Sequence, residues 1–145
     1  GEFLQAPGGQ RVALVGLGNL GRAILPFFAR YRPALRIVAA FDNDPAKVGE
    51  TVVEGCCPCR PIDELGSVVR AQEITIGVIA VPPGAAQHVA DQLVGAGVRG
   101  LVNFAPIALT VPPPVFVEDI DLTTSLEKVA YFAHAAVVRE SGTAE

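Results

Sequence analysis

The chain has 145 residues, 50% of them hydrophobic, with a net charge of −4 and a mean hydropathy of +0.42, which is room for one domain built on an apolar sheet covered on both faces. Lys47 and Lys128 are the only lysines and no basic stripe is present, which argues against nucleic-acid binding by these residues. No apolar run is long enough to span a membrane and no charged-then-apolar leader opens the chain, so no membrane partner and a cytoplasmic location are expected.

Residues 1–10 read as a disordered leader, and Gly1-Glu2-Phe3 as a cloning scar. Methionine removal before Gly1 is the other reading; the first is preferred, so a further domain is expected upstream. Residues 11–15 form a strand that runs straight into Gly16-Leu17-Gly18-Asn19-Leu20-Gly21, a G-x-G-x-x-G turn opening a helix over residues 19–30. Gly16 permits the tight turn, Gly18 leaves room for a pyrophosphate, and Gly21 lets the helix pack on the strand. The free N–H groups of the helix start would hold the phosphates. Leu20, Ala23, Ile24 and Phe27 give this helix its apolar face, and Pro26 is expected to bend or tighten its middle. Residues 35–41 form a second buried strand. It ends at Asp42, roughly 20 residues past the last glycine, where a ribose-binding acid belongs. A carboxylate there accepts from the ribose hydroxyls and repels a 2′-phosphate. Asn43 and Asp44 follow with no arginine near in sequence, so NAD(H) is favoured over NADP(H). The plainer alternative is a βα turn in which Asp42 only starts a helix.

Asp44-Pro45 opens a short helix, with Asp44 as N-cap and Gly49 closing it. Residues 51–59 hold one or two short strands with Cys56, Cys57 and Cys59. These thiols could hold a soft metal or form a redox pair. His88 and His134 fall in other elements, though, and adjacent cysteines chelate poorly. Ordinary part-buried thiols, with no metal, are the preferred reading. Another helix begins at Pro61-Ile62-Asp63-Glu64-Leu65. Residues 74–81 are the clearest buried strand, stopped by Pro82-Pro83. A helix over residues 84–95 ends at Gly95 or Gly97. Residues 99–104 form a strand ending in Asn103-Phe104-Ala105-Pro106. Pro112-Pro113-Pro114 is a stiff connector to a last strand over residues 115–118.

This alternation predicts an α/β fold, a Rossmann-type doubly wound parallel sheet over residues 11–120. Ligands in such sheets sit at the strand carboxyl ends beside the switch point. That rule gathers Gly16–Gly21, Asp42, Val81-Pro82 and Asn103–Pro106 in one crevice. For Val81-Pro82 and Phe104-Ala105-Pro106, strand termination by proline is an equal reading. A final helix over residues 121–139, ahead of a disordered tail at 140–145, carries an apolar face of Leu122, Leu126, Val129, Ala133 and Ala136. Tyr131, Phe132, Ala135 and Val138 spread apolar surface further round it. A surplus apolar helix behind a stiff link predicts insertion into a partner subunit of a homodimer; packing on its own sheet is the alternative.

Taken together, five motifs resemble the Rex family of redox-sensing transcriptional repressors. They are Val15–Gly21, Phe41-Asp42-Asn43-Asp44-Pro45-x-Lys47-Val48-Gly49, Ala80-Val81-Pro82, Leu101–Pro106 and Val117-Glu118-Asp119-Ile120-Asp121-Leu122, and the resemblance runs from about residue 11 to 138. It implies the C-terminal NAD(H)-binding and dimerisation domain of such a repressor, with a domain-swapped C-terminal helix. Gly16, Leu17, Gly18, Asn19, Leu20 and Gly21 would hold the pyrophosphate and Asp42 the adenosine ribose, with Asn43 and Lys47 counted beside it. Val81, Pro82, Asn103, Phe104, Ala105 and Pro106 would line the nicotinamide end, and Asp121 would help sense its state. Operator DNA would be bound only through an N-terminal winged helix, which these residues do not include. The family also tends to place a tyrosine where this chain has Phe27, and a phenyl ring cannot donate to Asp121.

Three functions remain in view. The first is an NADH/NAD⁺ sensor, whose apolar pocket would favour the neutral reduced ring over the cationic oxidised one. The second is a fragment of an NAD-dependent oxidoreductase. It lacks a ready acid/base, since His88 and His134 lie in helices and Tyr31 and Tyr131 have no activating lysine. No catalytic residue is therefore assigned and no enzyme is expected. The third is a CoA-binding module of the acyl-CoA ligase α-subunit type, which would not need Asp42.

Overall fold

The computed structural model describes residues 9–31, 34–49, 51–53 and 57–143, apart from the side chains of residues 27–31, 51–53 and 143. The expected leader at 1–8, the side chains of Phe27 and Tyr31, Cys56, and the last two residues of the expected tail lie outside that set. In chain order the elements are β1 (Gln10–Val15), α1 (Asn19–Tyr31), β2 (Leu35–Phe41), β3 (Thr51–Val53) and β4 (Cys57–Arg60). A 3₁₀ turn (Ile62–Glu64) runs into α2 (Leu65–Ala71), followed by β5 (Ile76–Ile79), α3 (Pro83–Gly95), β6 (Gly100–Asn103), β7 (Phe116–Asp119) and α4 (Leu122–Thr143). The strands form one sheet in the order β3-β4-β2-β1-β5-β6-β7. β3 pairs antiparallel with β4 and every other pairing is parallel. This is the Rossmann-like doubly wound sheet.

Alternation along β1 divides the core between the two faces of the sheet. Ala13 and Val15 join a cluster with Leu65 and Val69 of α2 and Val89 and Leu93 of α3. Val12 and Leu14 join the opposite cluster with Leu25 of α1. In β2 the pairing slips between Val12↔Ile37 and Ala13↔Ala39. That irregularity turns Ile37 to the α1 face, while Ala39 and Phe41 stay on the other. The α1 face is only half roofed: among the described residues, its helical members come from α1 alone. Toward β6 and β7, Val102 and Phe104 are half-buried and Phe116 is 66% exposed.

The strand ends are level. Val15 pairs with both Phe41 and Ile79, Ile79 with Asn103, and Asn103 with Asp119, while Phe41 pairs with Arg60. One edge of the sheet therefore carries the segments that follow those residues. β1 sits at the switch point, with β2 on one side and β5 on the other.

The expected helix after Asp44 is a turn instead. The Asp44 carbonyl accepts from Lys47 N–H at 2.9 Å, and its Oδ1 from Ala46 N–H at 3.0 Å. Gly49, at φ +92°, then swings its N–H to the Cys59 carbonyl at 2.8 Å. Pairing toward β4 wins over a second helical turn. α4 runs on to Thr143, since neither Gly nor Pro interrupts residues 122–141. Among the described residues it does not pack on its own sheet. Neither core cluster contains a residue of α4, and Leu126, Val129 and Phe132 are 70%, 65% and 63% exposed. No helix among the described residues is long and apolar enough to cross a membrane.

Candidate functional site

A cleft of about 510 Å³ opens at the carboxyl ends of β1, β2 and β5, within the size range of small-molecule sites. Nine of the sequence candidates line it: Gly16, Gly18, Asn19 and Leu20 from the glycine turn, Asp42, Asn43 and Lys47 after β2, and Val81 and Pro82 after β5. Ile62, Ala80 and Ala85 line it too, and sequence reasoning missed them. Ala80 opens the Ala80-Val81-Pro82 motif, from which the sequence reading counts only Val81 and Pro82 as lining residues. Ile62 and Ala85 arrive from the 3₁₀ turn and the first turn of α3, and only the strand order could have placed them.

The three glycines answer to different constraints. A Cβ on Gly16 would stand 2.5 Å from the Ala80 carbonyl oxygen, and its φ of +105° disfavours any side chain. A Cβ on Gly21 would run into the Gly16 carbonyl oxygen. Both positions are therefore fixed by the fold. Around Gly18 a Cβ would meet nothing within 4 Å, so the space beside it belongs to the cleft. Leu17 and Gly21 are buried behind the lining and help to build the cleft without facing it.

Asp42 ties the glycine turn to β2. Its Oδ2 accepts from Leu17 N–H at 2.7 Å and its Oδ1 from Asp44 N–H at 2.8 Å. Lys47 Nζ lies 3.9 Å from Oδ2. A carboxylate has about four lone-pair sites, so two hydrogen bonds leave acceptor capacity facing the cleft. The backbone N–H of Asp42 donates to the Arg60 carbonyl at 3.0 Å, and the Arg60 guanidinium in turn donates to Glu64 Oε1 at 3.1 Å.

The remaining candidates do not line the cleft. Asn103 is fully buried. Its Nδ2 donates to the Ile107 carbonyl and to Asp119 Oδ1, both at 2.9 Å, and its Oδ1 accepts from Ala105 N–H at 3.0 Å. Both amide donors are thus spent on bracing the 105–107 turn against β7. Phe104 is half-buried against the α1-side core, and its N–H donates to the Ile79 carbonyl at 2.9 Å. Ala105 is buried in the other core and Pro106 is exposed. Cys57 and Cys59 are buried in the α1-side core, and no group of three metal-ligating side chains occurs among the described residues.

Asp121 is exposed and caps α4. Its Oδ1 accepts from Thr124 N–H at 2.9 Å and its Oδ2 from Thr124 Oγ at 2.7 Å. The signal for this was in the sequence, an aspartate directly before a helical run. The backbone and side-chain hydrogen bonds from Thr124 hold the Asp121 carboxyl below its ordinary value of 3.8. A depressed carboxyl stabilises the folded state above its unfolded value and loses that contribution as the pH falls through the folded one. The start of α4 is therefore expected to lose helicity as the pH falls below 3.8. Far-UV circular dichroism across that window checks this against Asp121→Asn, which keeps a capping oxygen and should show no such step.

A family model described as "CoA binding domain" matches residues 9–107. The redox-sensing transcriptional repressor Rex of Leuconostoc citreum (strain KM20) is 44% identical over 121 residues, 83% of this chain and 55% of that protein. Among solved structures, RSP, a Rex-family repressor, in complex with β-NADH superposes at a TM-score of 0.80 with 28% identity, covering 92% of this chain and 63% of that one. RSP in complex with β-NAD⁺ and operator DNA superposes at 0.82, again at 28% identity, covering 94% and 62%. The chain spans a little over half the length of the curated relatives it matches.

Proposed function

This chain belongs to the CoA-binding domain family, as a domain of the Rex-repressor type, and on that premise we propose that it binds NADH and NAD⁺ and passes the difference between them to a homodimer. The observation that carries this reading is the open space at Gly18, between two glycines that the fold itself closes. A pyrophosphate fits there, against the backbone of Gly16–Gly21 and the start of α1. Asp42 accepts from the adenosine ribose, with Asn43 and Lys47 beside it. Ala80, Val81, Pro82 and Ala85 give the other end of the cleft an apolar wall for the nicotinamide. Asn103 and Ala105 brace that end from within the fold, Phe104 stands beside it through its bond to Ile79, and Pro106 follows at the surface.

The bound cofactor supplies a ring that is neutral when reduced and cationic when oxidised. An apolar wall penalises the cation. Only such a difference in affinity can move an equilibrium. The second half of the reading is a homodimer formed by exchange of α4. Its support is a helix whose large apolar side chains lie exposed among the described residues, together with a sheet face left open around Phe116. Asp121, at the root of that helix, would respond to the ring's charge across the exchanged helices. In the full-length protein the dimer would set the spacing of its DNA-reading parts. The role is one of binding, and no residue is assigned to catalysis.

Calorimetric titration with each nucleotide tests this. NADH is expected to bind more tightly than NAD⁺, by roughly tenfold or more, which is about 1.4 kcal/mol; equal affinities overturn the sensor. The description of the matching family favours CoA as a second reading. Its phosphorylated ribose would meet the Asp42 carboxylate, so CoA is expected to compete poorly with NADH.

A further inference from the structure

Parallel pairing brings to the cleft rim an arginine that is 18 residues from Asp42 in sequence. Arg60 sits opposite Phe41 at the end of β4, and its carbonyl holds the Asp42 N–H at 3.0 Å. Its neighbours in space and sequence, Asp42 and Ile62, both line the cleft, yet Arg60 itself does not. The guanidinium is turned instead to Glu64, with Nη1 3.1 Å from Oε1 one helical turn on. Both side chains are a little under half exposed.

An arginine beside the ribose is what admits a 2′-phosphate in a dinucleotide site, because its planar fork bonds phosphate oxygens in pairs. This chain therefore carries the acid that rejects that phosphate and, one strand away, the base that would accept it. We propose that Glu64 is a specificity-determining residue: by holding Arg60 away from the cleft, it withholds the guanidinium fork that a 2′-phosphorylated dinucleotide would need, since Lys47 in the cleft is a point charge already 3.9 Å from the Asp42 carboxylate. This rests on the dinucleotide reading given above. Exclusion of the phosphorylated ribose then has two sources, repulsion by Asp42 and sequestration of Arg60. An ion pair this exposed contributes little to folding, so removing one member leaves the domain intact.

The experiment is titration of the wild-type chain, Glu64→Ala and Glu64→Ala/Arg60→Gln with NADH and with NADPH. Glu64→Ala leaves Arg60 no acceptor at that position and is expected to bind NADPH roughly fivefold more tightly, the scale of one exposed charge pair, and to bind NADH as the wild type does. In the double variant the gain should vanish, and in Glu64→Ala it should shrink as salt is raised. No gain in Glu64→Ala, or a gain that survives loss of Arg60, overturns the assignment while leaving the NADH site standing. A wild-type chain that binds no NADH overturns both.

Discussion

Gly18→Ala is expected to weaken NADH binding by about tenfold or more, a loss of about 1.4 kcal/mol, without lowering the melting temperature. Gly21→Ala, three residues on, is expected to lower the melting temperature by roughly 10 °C. The contrast follows from what a methyl group meets. At position 18 it meets no atom of the chain within 4 Å, and the backbone there is not left-handed. Loss of a glycine can even stabilise such a site, by about 0.4–1 kcal/mol, through the unfolded chain. The methyl instead occupies space in the cleft where a pyrophosphate would approach. At position 21 it meets the carbonyl oxygen of Gly16, which cannot retreat. Gly16 is held at φ +105° against Ala80, and its N–H is bonded to the Phe41 carbonyl at 2.8 Å. Overpacking against backbone costs about 3 kcal/mol or more, which at this chain length is roughly 10 °C. Thermal melts of the two variants, beside NADH titrations, separate the effects. If both variants lose stability alike, Gly18 is a residue of the fold and the pyrophosphate loses its cradle.

The double variant Leu126→Glu/Val129→Glu is expected to be monomeric and folded. Both side chains lie on one face of α4, three residues apart, and are 70% and 65% exposed in the single chain. In a symmetric dimer each substitution occurs twice. Burying a leucine or valine is worth about 1.5–3 kcal/mol, and a buried unpaired carboxylate adds a penalty of several more. Four altered sites therefore weaken association by well over a thousandfold, about 4 kcal/mol. The monomer should survive because neither core cluster includes a residue of α4. Light scattering gives the mass and circular dichroism the fold. A variant that stays dimeric would place the contact elsewhere on the molecule.

The glycine turn, Asp42 and Val81-Pro82 were legible in the sequence because local spacing determines them. A strand, a turn and a helix in succession leave little freedom, and Val15 is followed by the cleft wherever the other strands lie. The segment from Asn103 to Pro106 was harder to read. Its residues follow a strand end level with the others, yet the Asn103 amide bonds inward and Ala105 packs into the core. Spacing gives the end of a strand; it does not tell which way an asparagine points. Arg60, Ile62 and Ala85 were invisible for another reason. They reach the rim through the parallel pairing of β4 with β2 and through the seating of α3, and both depend on sheet order. The turn after Asp44 has local signals for a helix that were correct as far as they went. Competition from the Cys59 carbonyl, ten residues past Gly49, decided against it.

The brace at Asn103 also has a mechanical consequence. One amide holds the 105–107 turn and the end of β7 together, and the Asn103 carbonyl takes the N–H of Ile120 at 2.8 Å, one residue before the cap of α4. Movement of that turn would pass through these bonds to the base of α4. With 22 residues at 1.5 Å each, α4 is an arm about 33 Å long. A tilt of about 5° at its base carries its tip about 3 Å, further than a rotamer change, from a shift at the base of a few tenths of an ångström.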